Sequence, residues 1–212
     1  MSTYADQEEL DKLKDWWKNY GTALIAGVLL GAAILVGVRY WTQHKEQSHL
    51  AASVIYEQMM ENYRAKKSDL VRHAGESLIN DYVSTPYAGM AALILARMDF
   101  DSGDMVAARK RLQWAMENAD DAATVHTARL RLARLHLSGG DKDAALALLD
   151  VTDQAGFMTE YEELKGDIFA AQGKNQEARA AFGEALKRLP AGSPYAPVLN
   201  MKLDDLGPEQ KP

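Results

Sequence analysis

From Tyr20 to Val38 the chain runs YGTALIAGVLLGAAILVGV, 19 residues without one charged side chain. At 1.5 Å of rise per residue such a helix is about 28 Å long, close to the ~30 Å hydrocarbon core of a bilayer. A core helix of a small soluble domain keeps a polar face, and this run offers only Thr22. Trp16, Trp17 and Tyr20 stand at one end, Tyr40 and Trp41 at the other, where amphipathic rings favour the headgroup region. Lys18 and Arg39 bracket the run and can extend their charges outward along apolar stems. These features favour a membrane span over a buried core helix.

A cleavable export signal does not fit. Such signals carry a basic leader, an apolar stretch of about 7–15 residues and a small-residue cleavage site. Here the leader mixes Asp6, Glu8, Glu9, Asp11 and Asp15 with Lys12, Lys14 and Lys18, and the run is followed by the bulky, charged RYWTQHKE. Lys12, Lys14 and Lys18 before the span outnumber Arg39 and Lys45 after it, a weak bias toward a cytoplasmic N-terminus. Ala23, Gly27 and Gly31 recur every four residues, and Ala33 and Gly37 repeat the spacing. Small residues at this spacing let membrane helices approach closely, and they are also common in such helices generally.

The remainder must be a domain of its own. The net charge of −6 divides into −2 before the span and −4 after it, where 21 basic residues face 25 acidic ones. That balance argues against a nucleic-acid binder, which carries a basic stripe. With no cysteine, disulfides, thiolate zinc sites and iron–sulfur clusters drop out. No proline occurs before Pro86, so the membrane helix can continue unbroken through RYWTQHKEQSHLAASVIYEQMMENYRA. A second helix is expected over roughly Asp69–Val83, ending before STPY.

Beyond that point the sequence repeats. LARMDFDSGDMVAARKRLQWAME, LARLHLSGGDKDAALALLDVT and LKGDIFAAQGKNQEARAAFGEAL align on Gly103, Gly140 and Gly173. An alanine follows each glycine by five residues (Ala108, Ala145, Ala178), then a large apolar residue four further on (Leu112, Leu149, Phe182). The glycines are 37 and 33 residues apart, bracketing the 34-residue tetratricopeptide period. The third copy matches that pattern best, with Gly166, Phe169, Gly173, Ala178, Phe182, Ala185 and Pro190 in register; the first two place Asp99 and His136 where an aromatic is usual. Residues 50–83 suit a degenerate first unit. Ala196, Leu199, Leu203 and Leu206 share one helical face after Pro190, Pro194 and Pro197, as a capping helix requires.

The expected fold is all-α: a single N-terminal transmembrane helix, then a tetratricopeptide-like α-solenoid of about three to four helical pairs with a C-terminal capping helix. Its expected divisions are an N-terminal amphipathic segment over 1–19, the span over 20–38, and a helical linker with the first repeat helix over 39–68. Repeats follow over 69–190, and the capping helix with its tail over 191–212.

Catalytic motifs are absent from the sequence. His44, His49, His73, His126 and His136 show no metal-ligand spacing, and no GxSxG, GxGxxG or GxxxxGK[ST] occurs. Ser77 near His73 reads as a helix surface, and Glu162 with Glu163 as acidic residues at a helix start. No enzyme, cofactor or metal is expected. Binding remains. The first helix of each pair should line a concave face through Met90, Leu93, Arg97 and Phe100. Thr127, Leu130, Arg134 and Leu137 follow from the second copy, and Glu160, Glu163 and Asp167 from the third. Such a groove, with apolar patches and stacked arginines, suits an extended peptide or a partner helix. The competing expectation is that the apolar members are ordinary core and the arginines solvated.

The acidic leader with WWKNYG, the span ending in GVRYW, the LARL and GDKDAALALLD runs and the terminal MKLDDL together resemble the YfgM-like ancillary subunits of the SecYEG translocon, over nearly the whole chain. The resemblance implies a bacterial inner-membrane protein with a cytoplasmic tail and a periplasmic repeat domain. It implies association with SecYEG and with a membrane-anchored periplasmic chaperone of the PpiD type; the expected role of the concave face is to recruit that chaperone or to hold exported client chains. An alternative function is a regulator that restrains an envelope stress-response signalling protein by direct binding. A cytoplasmic repeat scaffold for envelope synthesis would need the opposite topology.

Overall fold

The computed structural model describes residues 3–154 and 156–207, and within the first helix leaves aside the side chains of residues 3–13, 15, 23, 24 and 28. The described residues form nine helices and no strand. They divide into two compact units, Met1–Leu50 and Ala51–Pro212.

The first unit belongs to α1 (Thr3–Arg64). Its most apolar 18-residue window has a mean hydropathy of 2.3, long and apolar enough to cross a membrane. Leu29, Leu30, Leu35 and Val36 are all at least 65% exposed, and lipid would remove that apolar surface from water. The aromatic ends are ordered by local stacking. The Trp17 ring lies over Gly21, where a Cβ would meet it at 3.0 Å, and Trp16 and Tyr20 bring their ring centroids to 6.0 Å. Tyr40 stacks on His44 at the other end. Gly27, Gly31 and Gly37 have open space where a side chain would stand, and Ala33 is exposed. The side chain of Ala23 lies outside those described.

The second unit takes the last turns of α1, then α2 (Ser68–Asp81), α3 (Pro86–Asp101), α4 (Met105–Asn118), α5 (Ala122–Ser138), α6 (Lys142–Ala147), α7 (Met158–Ala171), α8 (Asn175–Arg188) and α9 (Ala196–Asp205). Helix starts follow sequence signals. Pro86 opens α3, where its missing N–H costs nothing. Asp104, Asp121 and Asp141 cap α4, α5 and α6 by accepting from Ala107, Thr124 and Ala144 backbone N–H groups. Gly103, Gly140 and Gly173 make the three interhelical turns at φ +86°, +85° and +76°, a region that penalises any side chain.

Four apolar clusters run along the solenoid. Ala52 and Met59 of α1 pack with Val71, Leu78 and Leu95; Ala96, Ala108, Leu112, Leu132 and Leu135 pack together. Leu130, Leu149, Tyr161, Leu164 and Ile168 form the third cluster, and Phe182, Ala178, Ala185 and Leu199 the fourth. Gly166 lets α7 and α8 cross closely, since a Cβ there would stand 2.4 Å from the Phe182 ring. Leu203 and Leu206 lie against the Leu199 cluster, so α9 covers the end of the array.

One expectation is modified. The second copy aligned as a full helical pair, yet α6 holds only six residues before the chain turns at Leu148–Leu149. Asp150, Thr152, Asp153 and Gly156 follow, a composition that favours turns over helix continuation.

Candidate functional site

Helices α3, α4 and α5 surround a cavity of about 600 Å³. Leu93, Ala96, Leu112 and Leu135 give it an apolar floor, with Phe100 and Tyr63 at the sides. Arg97, Arg131 and Arg134 bring three guanidinium groups to the same lining. Arg97 donates through Nε to Asp101 at 2.9 Å, one turn on. That hydrogen bond, and then the Asp101 charge, hold the Arg97 proton more tightly than usual. Arg131 is different: partial burial, then the charges of Arg134 and Arg97, push its pKa down.

Leu93, Arg97, Phe100 and Arg134 thus meet at one cavity. The other expected groove residues go elsewhere. Met90 and Thr127 are half-buried outside that lining. Leu130 is 3% exposed in the cluster with Leu149, Tyr161 and Leu164, and Leu137 packs against it. Those two leucines are core because α6 and α7 cover that face of α5. Glu160 is exposed on the first turn of α7.

Glu163 and Asp167 are engaged within the chain. Lys202 of α9 donates through Nζ to Glu163 Oε1 at 2.7 Å and to both Asp167 oxygens at 2.7 and 2.8 Å. Tyr195 Oη donates to the same Glu163 oxygen at 2.7 Å, and the Lys202 ammonium stands 5.5 Å above the Phe182 ring centroid. Burial pulls the Lys202 pKa down, but hydrogen bonds to Asp167 and Glu163 and their charges carry it above its ordinary value. Asp167 is nevertheless raised, first by burial and also by the Glu163 charge, against the pull of Lys202. The two directions are compatible because one ammonium serves two carboxylates that repel each other.

Sequence reasoning missed Arg131 and Tyr63. Arg131 and Arg134 are three residues apart on α5, a spacing that places both on one side of the helix; Tyr63 comes from the last turn of α1. Two other polar clusters are structural in character. Asp99, 2% exposed, accepts from Arg72 and, at 2.9 Å, from Arg111, which also reaches Glu76. His126 Nδ1 lies 2.8 Å from Tyr161 Oη, with Phe157 stacked on the imidazole.

Comparison with known proteins supplies the family. A profile described as tetratricopeptide repeat-like domain matches residues 14–208. A Neisseria gonorrhoeae protein named ancillary SecYEG translocon subunit is 33% identical over 202 residues, covering 95% of this chain and 97% of that one. Proteins of the same name from Escherichia coli and Haemophilus influenzae are each 29% identical; the first alignment covers 97% of this chain and 99% of the relative, the second 85% and 88%. With its apolar helix and its glycine-turned pairs inside the profile match and the Neisseria gonorrhoeae alignment, this chain belongs to the tetratricopeptide repeat-like family of ancillary SecYEG translocon subunits.

Proposed function

We propose that the protein is a non-enzymatic, membrane-anchored adaptor at the Sec translocon. The observation that carries this reading is the end-to-end similarity to relatives named as translocon subunits, which spans the apolar helix as well as the repeats. Residues 20–38 cross the inner membrane, the preceding segment lies in the cytoplasm, and the repeats stand in the periplasm. The lysine bias before the span supports that orientation. Anchoring raises the local concentration of the repeat array beside the channel without requiring tight binding. The array joins the channel to a membrane-anchored periplasmic chaperone of the PpiD type and to emerging chains, and the cavity between α3 and α5 is its contact site.

Crosslinking in native membranes, purification in mild detergent and mass spectrometry test this. Recovery of SecYEG subunits with a periplasmic chaperone is the expected result; recovery of a stress-response signalling protein alone would move the function to regulation. Alkaline phosphatase fused after Pro212 is expected to be active, and an inactive fusion would place the repeats in the cytoplasm.

A further inference from the structure

We infer that the cavity between α3 and α5 selects an acidic segment of a partner protein, with carboxylates set beside a large apolar side chain. The inference rests on the contact site proposed above and names its ligand chemistry.

Charge at this place runs against the chain as a whole. The residues after the span carry four more acidic than basic groups, 25 against 21. Yet the cavity lining holds Arg97, Arg131 and Arg134 with Asp101 as its one carboxylate. A second hollow of about 690 Å³ shares Tyr63 and Asp101 and adds Arg64, Lys66 and Lys67, again with Asp101 as the only acid in its lining. Two of these cations are already engaged, Arg97 with Asp101 and Arg72 of the second hollow with Asp99. Among the described residues, Arg131 and Arg134 make no ion pair within 4 Å, although the Arg134 charge acts at longer range on Asp167 of α7.

Three guanidinium groups crowded over an apolar floor repel one another, and the partial desolvation of Arg131, a residue otherwise exposed, adds a modest cost. An incoming carboxylate relieves both, because a guanidinium fork matches its two oxygens. The floor adds a second requirement. Leu93, Leu112 and Leu135 with Phe100 offer an apolar surface inside a concave wall, which suits an inserted side chain. A flat anionic membrane surface would meet the rim cations and leave that floor uncovered.

The test uses the full-length protein in nanodiscs. The probes are two fluorescein-labelled peptide amides: one has two aspartates flanking a tryptophan and a leucine, the other has asparagines in their place. The aspartate peptide is expected to bind at least about tenfold tighter, the scale of one charge-assisted hydrogen bond. Arg131→Gln with Arg134→Gln should erase the difference, and added salt should shrink it. Both arginines are exposed, so folding should persist, and the comparison of the two peptides on unaltered protein decides the matter regardless. Equal binding of both peptides, or binding of neither, overturns the inference. Arginine-dependent binding to phosphatidylglycerol vesicles without selectivity between the peptides would overturn it in favour of lipid. The contact-site reading fails separately: a photo-crosslinker at Phe100 that captures neither translocon subunit nor chaperone in native membranes removes it, whatever the peptides do.

Discussion

Asp99, at a position where tetratricopeptide units usually carry an aromatic ring, accepts the Nε–H of Arg111 from the next helix at 2.9 Å while only 2% exposed. Arg72 and Glu76 of α2 complete the network, so the degenerate first unit is tied to the α3–α4 pair by charge as well as by packing. Removing Asp99 leaves Arg72, 38% exposed, to water and Arg111 still paired with Glu76, so the cost is about 1–3 kcal/mol, below that of breaking a fully buried pair. Asp99→Ala should therefore lower the Tm of the repeat domain by about 2–12 °C in thermal unfolding followed by circular dichroism. Replacing Asp99, Arg72 and Arg111 together with apolar residues should recover most of that loss. A single variant as stable as the parent would show that the arginines find water instead.

Gly166 and Gly183 should respond in opposite directions. A Cβ at 166 collides with the buried Phe182 ring at 2.4 Å, whereas at 183 it meets nothing within 4 Å. Gly166→Ala is expected to cost about 1–3 kcal/mol by overpacking, and Gly183→Ala to gain up to about 1 kcal/mol of helix propensity. Urea titration of both variants reads the sign directly. Combining Gly166→Ala with Phe182→Leu should restore part of the loss.

The cap formed by α9 should fail on the alkaline side. Lys202 and Tyr195 both have pKa values raised in the folded protein, Lys202 by Asp167 and Glu163 despite burial, Tyr195 first by its hydrogen bond to Glu163. A raised lysine or phenol pKa means that the folded state binds the proton more tightly. The stabilisation is then complete below the ordinary values near 10 and is lost as pH rises through the folded values. Asp167, raised mainly by burial, has the same sign in the acid range: its folded form also holds the proton more tightly, so its cost grows as pH rises from its ordinary value of 3.8 and is already complete well below the alkaline limb. Lys202→Met with Tyr195→Phe should flatten the stability profile above about pH 10. An unchanged alkaline limb would assign that transition to other groups.

Tyr161 is fully buried with its hydroxyl 2.8 Å from His126 Nδ1. Tyr161→Phe should cost about 1–3 kcal/mol by leaving a buried ring nitrogen unpaired. His126→Leu in the Tyr161→Phe background should cost less than it does alone, and a double-mutant cycle in urea measures that coupling. Strict additivity would mean that the two side chains do not interact.

Local features were the legible ones. The turn glycines and the Leu199–Leu203–Leu206 face of α9 follow from neighbours within about a turn, and the structure holds them where the pattern put them. Long-range pairing was hidden. Lys202 lies 39 residues from Glu163 and 35 from Asp167, and no periodicity indicates that a capping helix will neutralise two carboxylates assigned to a groove. Leu130 and Arg131 are adjacent in sequence, and the register placed Leu130 in the groove. The structure puts Leu130 in the core and Arg131 at the cavity, because α7 covers α5 at a rotation that a repeat alignment does not encode.

In an array whose units hold only their neighbours, cohesion is set by the smallest interface between them. With six residues in α6, and a turn-rich stretch where its later turns would be, the middle of this solenoid has few helical hydrogen bonds to oppose separation. Opening should start there, with α2–α5 and α7–α9 persisting as two blocks, and native-state amide exchange is expected to show backbone protection falling first in α6. A pull from the membrane side would then be felt as a parting at the middle of the array, and the span and the cavity would stay together on one side of the break.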